Sequence, residues 1–298
     1  MNTLEFHERM VCINSFKKSR IKPLKDLNLI NSFLFDASME NPENAATIAR
    51  IIVKRATGRD IENIMVETQK ELKGYESDSR GVRMDVIVFS KDNHQKISEV
   101  YDIEPNDYIE KDLAKRTRYY NSMVDVKLLK SQESFGELPE LFSIWILSHD
   151  PFGEKRMVYT VKNVVTENPQ LVYNDGVTNL FLYTGGTIGG SKELHNLLTH
   201  MTNTTDANAV DPDLKKIQSI VNSVKDDRKV GERYMSIEKI IKSATQDGFN
   251  EGRNEAIHSA IESFIECNIS PEIIRNKLIT KFTLSEADAD SYLSEYFK

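Results

Sequence analysis

Val82-Arg83-Met84-Asp85-Val86-Ile87-Val88-Phe89, followed after a polar turn by Ile97-Ser98-Glu99-Val100-Tyr101-Asp102-Ile103-Glu104, is the stretch on which the fold turns. Its length and β-branched content make 82–89 a strand. Met84, Val86 and Val88 lie on one face and Ile87 and Phe89 on the other, so both faces are apolar and the strand belongs inside a sheet covered on two sides. Asp85 interrupts that pattern where a side chain ought to be buried. The turn from Ser90 to Lys96 and the stop at Pro105 predict a hairpin that sets Asp85 opposite residues 101–104.

On the N-terminal side, Asn41 and Pro42 form a helix start, after which Ala45, Ile48, Ala49, Ile52 and Val53 recur at helical spacing. Gly74 to Gly81, with Ser77, Asp78 and Ser79, reads as a turn. Beyond the hairpin, Leu113, Tyr120, Met123, Val124 and Leu128 fit one face of a helix, and Lys111, Lys115 and Arg118 fit another. Leu141–Leu147 is a third buried strand with Trp145 in the core, Met157–Val165 and Asn179–Tyr183 are further strand candidates, and from about Lys192 the pattern is helical to the end. Breaks are expected at 208–212, 226–231 and 268–271.

The composition is that of a globular protein. Its 298 residues allow one substantial core and a smaller second unit, and 29% charged against 39% hydrophobic residues, with a mean hydropathy of -0.46, argues against wholesale disorder. No run approaches the ~18 apolar residues of a membrane span. Glu5, Glu8 and Arg9 break up the N-terminus, so no secretory signal is read and a cytoplasmic location is expected. Cys12 and Cys267 are far apart and read as free thiols. A net charge of -7 opposes nonspecific coating of nucleic acid, although a local basic surface remains compatible with it. Lys17, Lys18, Arg20, Lys22 and Lys25 read as a solvated basic tail, with a phosphate-touching arm as the alternative. His94, His149, His195 and His200 show no metal-ligand spacing and read as surface or capping residues. The 185–190 glycine run lacks the lysine and hydroxyl of a phosphate loop and reads as a flexible connector.

A buried aspartate must be neutral, hydrogen-bonded or metal-bound. Asp85 could pair with Arg83. Alternatively, with Glu104 facing it, a divalent ion could sit between the two, and hard oxygen ligands suit Mg²⁺ or Mn²⁺.

Arg83-Met84-Asp85-Val86-Ile87-Val88 followed by Tyr101-Asp102-Ile103-Glu104-Pro105-Asn106 resembles the D…E-x-Q signature of the PD-(D/E)XK nuclease family transposases, the recombination-promoting nucleases. The similarity continues through 111–123, Leu138-Pro139-Glu140, Asp150-Pro151-Phe152-Gly153, Asp175-Gly176 and Arg233-Tyr234-Met235, covering roughly residues 24–240. It implies an α/β restriction-endonuclease-like core with a central mixed sheet flanked by helices, followed by an all-helical C-terminal region. The expected division is an extension over 1–25, the core over 26–192, a helical extension over 193–250 and a small helical bundle over 251–298.

The resemblance also implies metal-dependent DNA cleavage linked to recombination, mobile elements or defence, with Mg²⁺ or Mn²⁺ on Asp85 and Glu104 and Asn106 in the place of the family's glutamine. Asn31-Ser32 stands where the family has an acidic pair, so a supplementary acid must come from Asp36, Glu40 or Glu43. Lys111, Lys115 and Arg118 would hold DNA. A catalytically degenerate binding or assembly protein is the alternative reading. The C-terminal helices are expected to make a homodimer or other homo-oligomer, or else to fold back onto the core.

Overall fold

The computed structural model describes residues 22–72 and 82–297. Cys12, the basic residues up to Arg20 and the expected 74–81 turn lie outside them. The chain divides into two units, 1–231 and 232–298. The first is α/β, with helices flanking a six-stranded mixed sheet.

Helices α1 (Ser32–Met39) and α2 (Pro42–Thr57) precede β1 (Ile64–Leu72), β2 (Val82–Lys91) and β3 (Ile97–Asn106). Asn31 accepts from Leu34 N–H and Asn41 from Glu43 and Asn44 N–H, so both helix starts are satisfied by asparagine caps. Next come α3 (Leu113–Leu128), β4 (Glu140–Leu147), β5 (Val158–Val161), β6 (Val177–Tyr183), α4 (Lys192–Thr202) and α5 (Pro212–Asp226). The strand order is β1-β2-β3-β4-β6-β5. β1, β2 and β3 form an antiparallel meander, β3–β4 and β4–β6 pair in parallel, and β5 returns antiparallel at the far edge.

Val86 pairs with Ile103, and there the β2–β3 ladder stops. One further step of that register would set Asp85 against Glu104, within the span 101–104 that the hairpin pattern predicts. Pro105, which has no N–H to give, sits just beyond the end of this ladder, while β3 runs on to Asn106 against β4. Strand alternation puts Asp85, Ile87, Val100, Asp102, Glu104, Leu141, Ser143 and Trp145 on one face. The α3 residues Leu113, Tyr120 and Val124 close that face around Trp145, which is 1% exposed. Met84, Val86, Val88, Ile103 and Ile144 are buried too, so both faces of the central strands are covered as read from their composition.

Several expectations need correcting. The strand expected over 157–165 is only Val158–Val161, because Lys162 and the residues after it peel away from β6. The break expected at 226–231 narrows to Asp227, which caps the next helix by accepting from Lys229 and Val230 N–H. The glycine run is a close-packed turn rather than a loose connector. A Cβ on Gly186 would lie 2.5 Å from Met157 N, and Met157 N–H donates to the Ile188 carbonyl at 2.9 Å. His200 is fully buried, its Nε2 2.8 Å from Gln218 Oε1, and burial pulls its pKa down; it is a core histidine, not a surface one.

The second unit carries most of α6 (Arg228–Glu266), with α7 (Pro271–Phe282) and α8 (Glu286–Ser294). Ile257, Ile261, Ile274, Leu278, Ala289 and Leu293 form its core. Among the described residues no helix is long and apolar enough to cross a membrane.

Candidate active site

At the open end of the β2–β3 hairpin the Asp85 N–H donates to Glu104 Oε1 at 2.9 Å. The carboxylate of Glu104 thus occupies the position where a ladder carbonyl would be, and its other oxygen lies 3.7 Å from Arg116 of α3. Glu104 is 2% exposed and Asp102, on the same face two residues earlier, is 1% exposed. Asp102 lies close to Ser143 and Glu104, yet neither of its oxygens meets a donor in hydrogen-bonding geometry among the described residues. The hydroxyl of Ser143 goes instead to Asn121 Oδ1 at 2.9 Å, and Asn121 in turn donates to Asn179 at 2.9 Å. A polar seam therefore runs across the sheet beneath α3.

Three carboxylates so placed hold on to protons. Burial, and then the charge of Asp36, pushes Asp85 up to about 7. Burial and Asp85 push Asp102 up to about 8, and burial, Asp102 and Asp85 together raise Glu104. Arg116 is the main counter-charge. Burial disfavours its charge, but hydrogen bonds outweigh that cost: 2.9 Å to the Tyr108 hydroxyl, 2.9 Å to the Tyr120 hydroxyl and 3.0 Å to Glu110. Its guanidinium also stacks 5.1 Å from the Trp145 ring.

Of the supplementary acids, Asp36 is the one joined to this group. It acts on Asp85 and accepts from Gln69 Nε2 at 2.7 Å, while Gln69 accepts from Arg83 at 2.5 Å. Glu40 and Glu43 are exposed at the end of α1 and the start of α2 and are not among the charges that act on Asp85. Arg83, the sequence alternative for pairing with Asp85, acts on it as a lesser charge than Arg116 and spends its hydrogen bond on Gln69. Asn106 is 3% exposed; its Oδ1 accepts from Tyr108 N–H at 2.8 Å, and its Nδ2 has no partner among the described residues.

The three cations expected to hold DNA are exposed, but they do not share one helical face. Lys111 lies in the turn before α3, which begins only at Leu113. Lys115 lies 3.9 Å from Asp112.

Sequence reasoning missed Arg116, Asp102, Tyr120 as a hydrogen-bonding group, and Gln69. The signal for Arg116 was present: Leu113, Thr117, Tyr120 and Val124 mark the buried face, and position 116 flanks it four residues before Tyr120.

Among the described residues, no three His, Cys, Asp or Glu side chains are grouped as they would be to hold a metal ion. The donors nearest to such a site, Asp36, Asp85 and Glu104, are all hard oxygens of the kind Mg²⁺ and Mn²⁺ take. Comparison with protein-family models, with curated proteins and with solved structures finds no match, so the assignment of this site rests on its own geometry and chemistry.

Proposed function

We propose that this chain is a metal-dependent DNA endonuclease with a PD-(D/E)XK-type core, related to the recombination-promoting nucleases. The observation that carries the reading is the carboxylate group at the end of the hairpin. Asp85 and Glu104 meet across β2 and β3, Asp36 approaches from α1, and their shared excess of negative charge is raised in proton affinity. The donor chemistry fits Mg²⁺ or Mn²⁺, which would activate water and steady the charge that develops on a phosphate. Asp85 and Glu104 would hold the ion, with Asp36 as the supplementary acid, and waters would fill the rest of its shell.

In this reading Arg116 opposes the rise in the proton affinity of Glu104 and lies 3.7 Å from its second oxygen. Asn106 offers its Nδ2 to a water or phosphate oxygen, the task that glutamine has in the family pattern. The exposed Lys111, Lys115 and Arg118 contact the phosphate backbone. Cleavage of plasmid DNA by the purified protein in Mg²⁺ or Mn²⁺, abolished by Asp85→Ala, is the expected result; no cleavage with either ion would reject the reading.

One observation favours the second reading, a degenerate nuclease fold that binds DNA or protein. Among the described residues the acidic side chains do not form a three-ligand group, and Glu104 already spends one oxygen on a backbone N–H. DNA binding with no cleavage would select it. Under either reading the exposed apolar residues of α6, Met235, Ile240, Ile241 and Phe249, suit self-association into a homodimer or larger oligomer, which light scattering on the full chain tests.

A further inference from the structure

Beside the carboxylates, the turn after β3 and the start of α3 enclose an open groove of about 830 Å³, which also reaches Arg83 on β2. Tyr108, a residue 54% exposed, stands on one side of it, and Tyr119, 37% exposed, lines it too. A half-exposed aromatic ring in a turn is ordinarily free to swing. Here the Tyr108 hydroxyl is tied to Arg116 at 2.9 Å, and Arg116 is itself held by Glu110, Tyr120 and the Trp145 ring. The ring is therefore fixed in position before any ligand arrives, and one side chain, Arg116, connects it to Glu104.

The charges of the groove favour a phosphate. Four cations line it, Arg83, Lys115, Arg116 and Arg118, against Glu110 and Asp112. Among the described lining residues, Arg116 pairs with Glu110 and Lys115 lies near Asp112, which leaves Arg118 facing the groove, with Arg83, hydrogen-bonded to Gln69, as a second positive charge at its edge. A fixed aromatic face with arginine charge beside it is what an unpaired nucleotide needs, the base stacking on the ring and the phosphate meeting the guanidinium. A paired base inside a duplex has no free face to offer.

We propose that this groove binds an unpaired or displaced nucleotide of DNA next to the phosphate held at the carboxylates, with the base on Tyr108 and the backbone against Arg118 and Arg83. The protein would then prefer bulged or otherwise distorted duplexes to perfect ones. The inference names a substrate class for the proposed nuclease and rests on that reading for the position of the phosphate.

The test is equilibrium binding of a short fluorescein-labelled duplex with one bulged nucleotide, and of its fully paired counterpart, followed by anisotropy with Ca²⁺ in place of Mg²⁺. The bulged duplex should bind about tenfold more tightly, within the range that stacking one base on an aromatic side chain provides. Tyr108→Leu should erase the preference and Tyr108→Phe should keep part of it, because the ring still stacks but loses the hydroxyl tie to Arg116 that fixes it. Equal affinity for the two duplexes, or an undiminished preference in Tyr108→Leu, overturns the proposal. A Tyr108-dependent preference with no Mn²⁺-dependent cleavage would support the groove and reject the nuclease reading; cleavage indifferent to Tyr108 and to the bulge would do the reverse.

Discussion

Replacing Asp102 with Asn should change how stability depends on pH. Asp102 is 1% exposed, and burial followed by the charge of Asp85 raises its pKa to about 8. In the unfolded chain the same group titrates near 3.9. Between those values the folded protein holds a proton that the unfolded chain has released, so the stability this group contributes is complete below about pH 4 and is lost as pH rises towards 8. Each pH unit costs about 1.4 kcal/mol for one proton, which makes about 4 kcal/mol between pH 5 and pH 8. That is a ceiling, since Asp85 and Glu104 share the same repulsion. Even half of it is a large part of the roughly 5–15 kcal/mol that holds a domain folded.

Asn has the shape of the protonated acid and no proton to lose. Asp102→Asn should therefore flatten the decline and gain about 2–4 kcal/mol over the wild type at pH 8, with little difference at pH 5. Urea unfolding in the presence of a chelator, followed by tryptophan fluorescence at both pH values, measures this directly, because Trp145 lies in the core beside the seam. A variant less stable than the wild type by the same amount at both pH values would refute the reasoning and make Asp102 an ordinary packed side chain.

Other outcomes follow from the same charges. Arg116→Ala should cost about 3–5 kcal/mol at pH 8 and less at pH 5, since the Arg116 charge pairs with Glu110 and opposes the rise in the proton affinity of Glu104; urea midpoints at the two pH values check it. His200 has its pKa lowered by burial, so its contribution is present above about 6.5 and lost as pH falls below that value, opposite in sign to the carboxylates. His200→Gln should remove that acid sensitivity in thermal melts between pH 7 and pH 5. Mn²⁺ at a hundredfold excess over its dissociation constant should stabilise the wild type by about 2.7 kcal/mol, seen as a higher Tm, and should leave Asp85→Ala unmoved.

The hairpin was legible because β2 is apolar on both faces and Pro105 marks where β3 stops pairing with β2; counting back from the turn set Asp85 opposite residues 101–104, and the observed register narrows this to one step beyond Val86–Ile103. β1 escaped because Glu67, Gln69, Lys70 and Glu71 give it a polar sequence. It is an edge strand, and the Gln69 amide turns towards Asp36, so no apolar alternation survives there. Asn31 read as a missing acid, whereas the structure shows a helix cap, a task for which asparagine and aspartate are near equivalents. Arg116 was lost in a run of cations, since sequence spacing groups charges by face but does not show which one a buried glutamate will meet. Asp102 sat in plain view two residues before Glu104, on the same face by strand alternation, and the β3–β4 pairing adds that this face is covered, with Ser143 against Asp102.

Most of the candidate site comes from one short piece of chain. Arg83, Asp85, Asp102, Glu104 and Arg116 all fall within the β2–β3 hairpin and the helix after it, and Asp85 is 19 residues from Glu104. Local contacts close at small entropic cost and form early, whereas the parallel β3–β4–β6 pairing must wait for longer crossovers. The burial that raises the proton affinity of these acids is therefore completed late, when the remaining strands and α3 cover them. A proton or a cation shared among them should then slow unfolding more than it speeds folding.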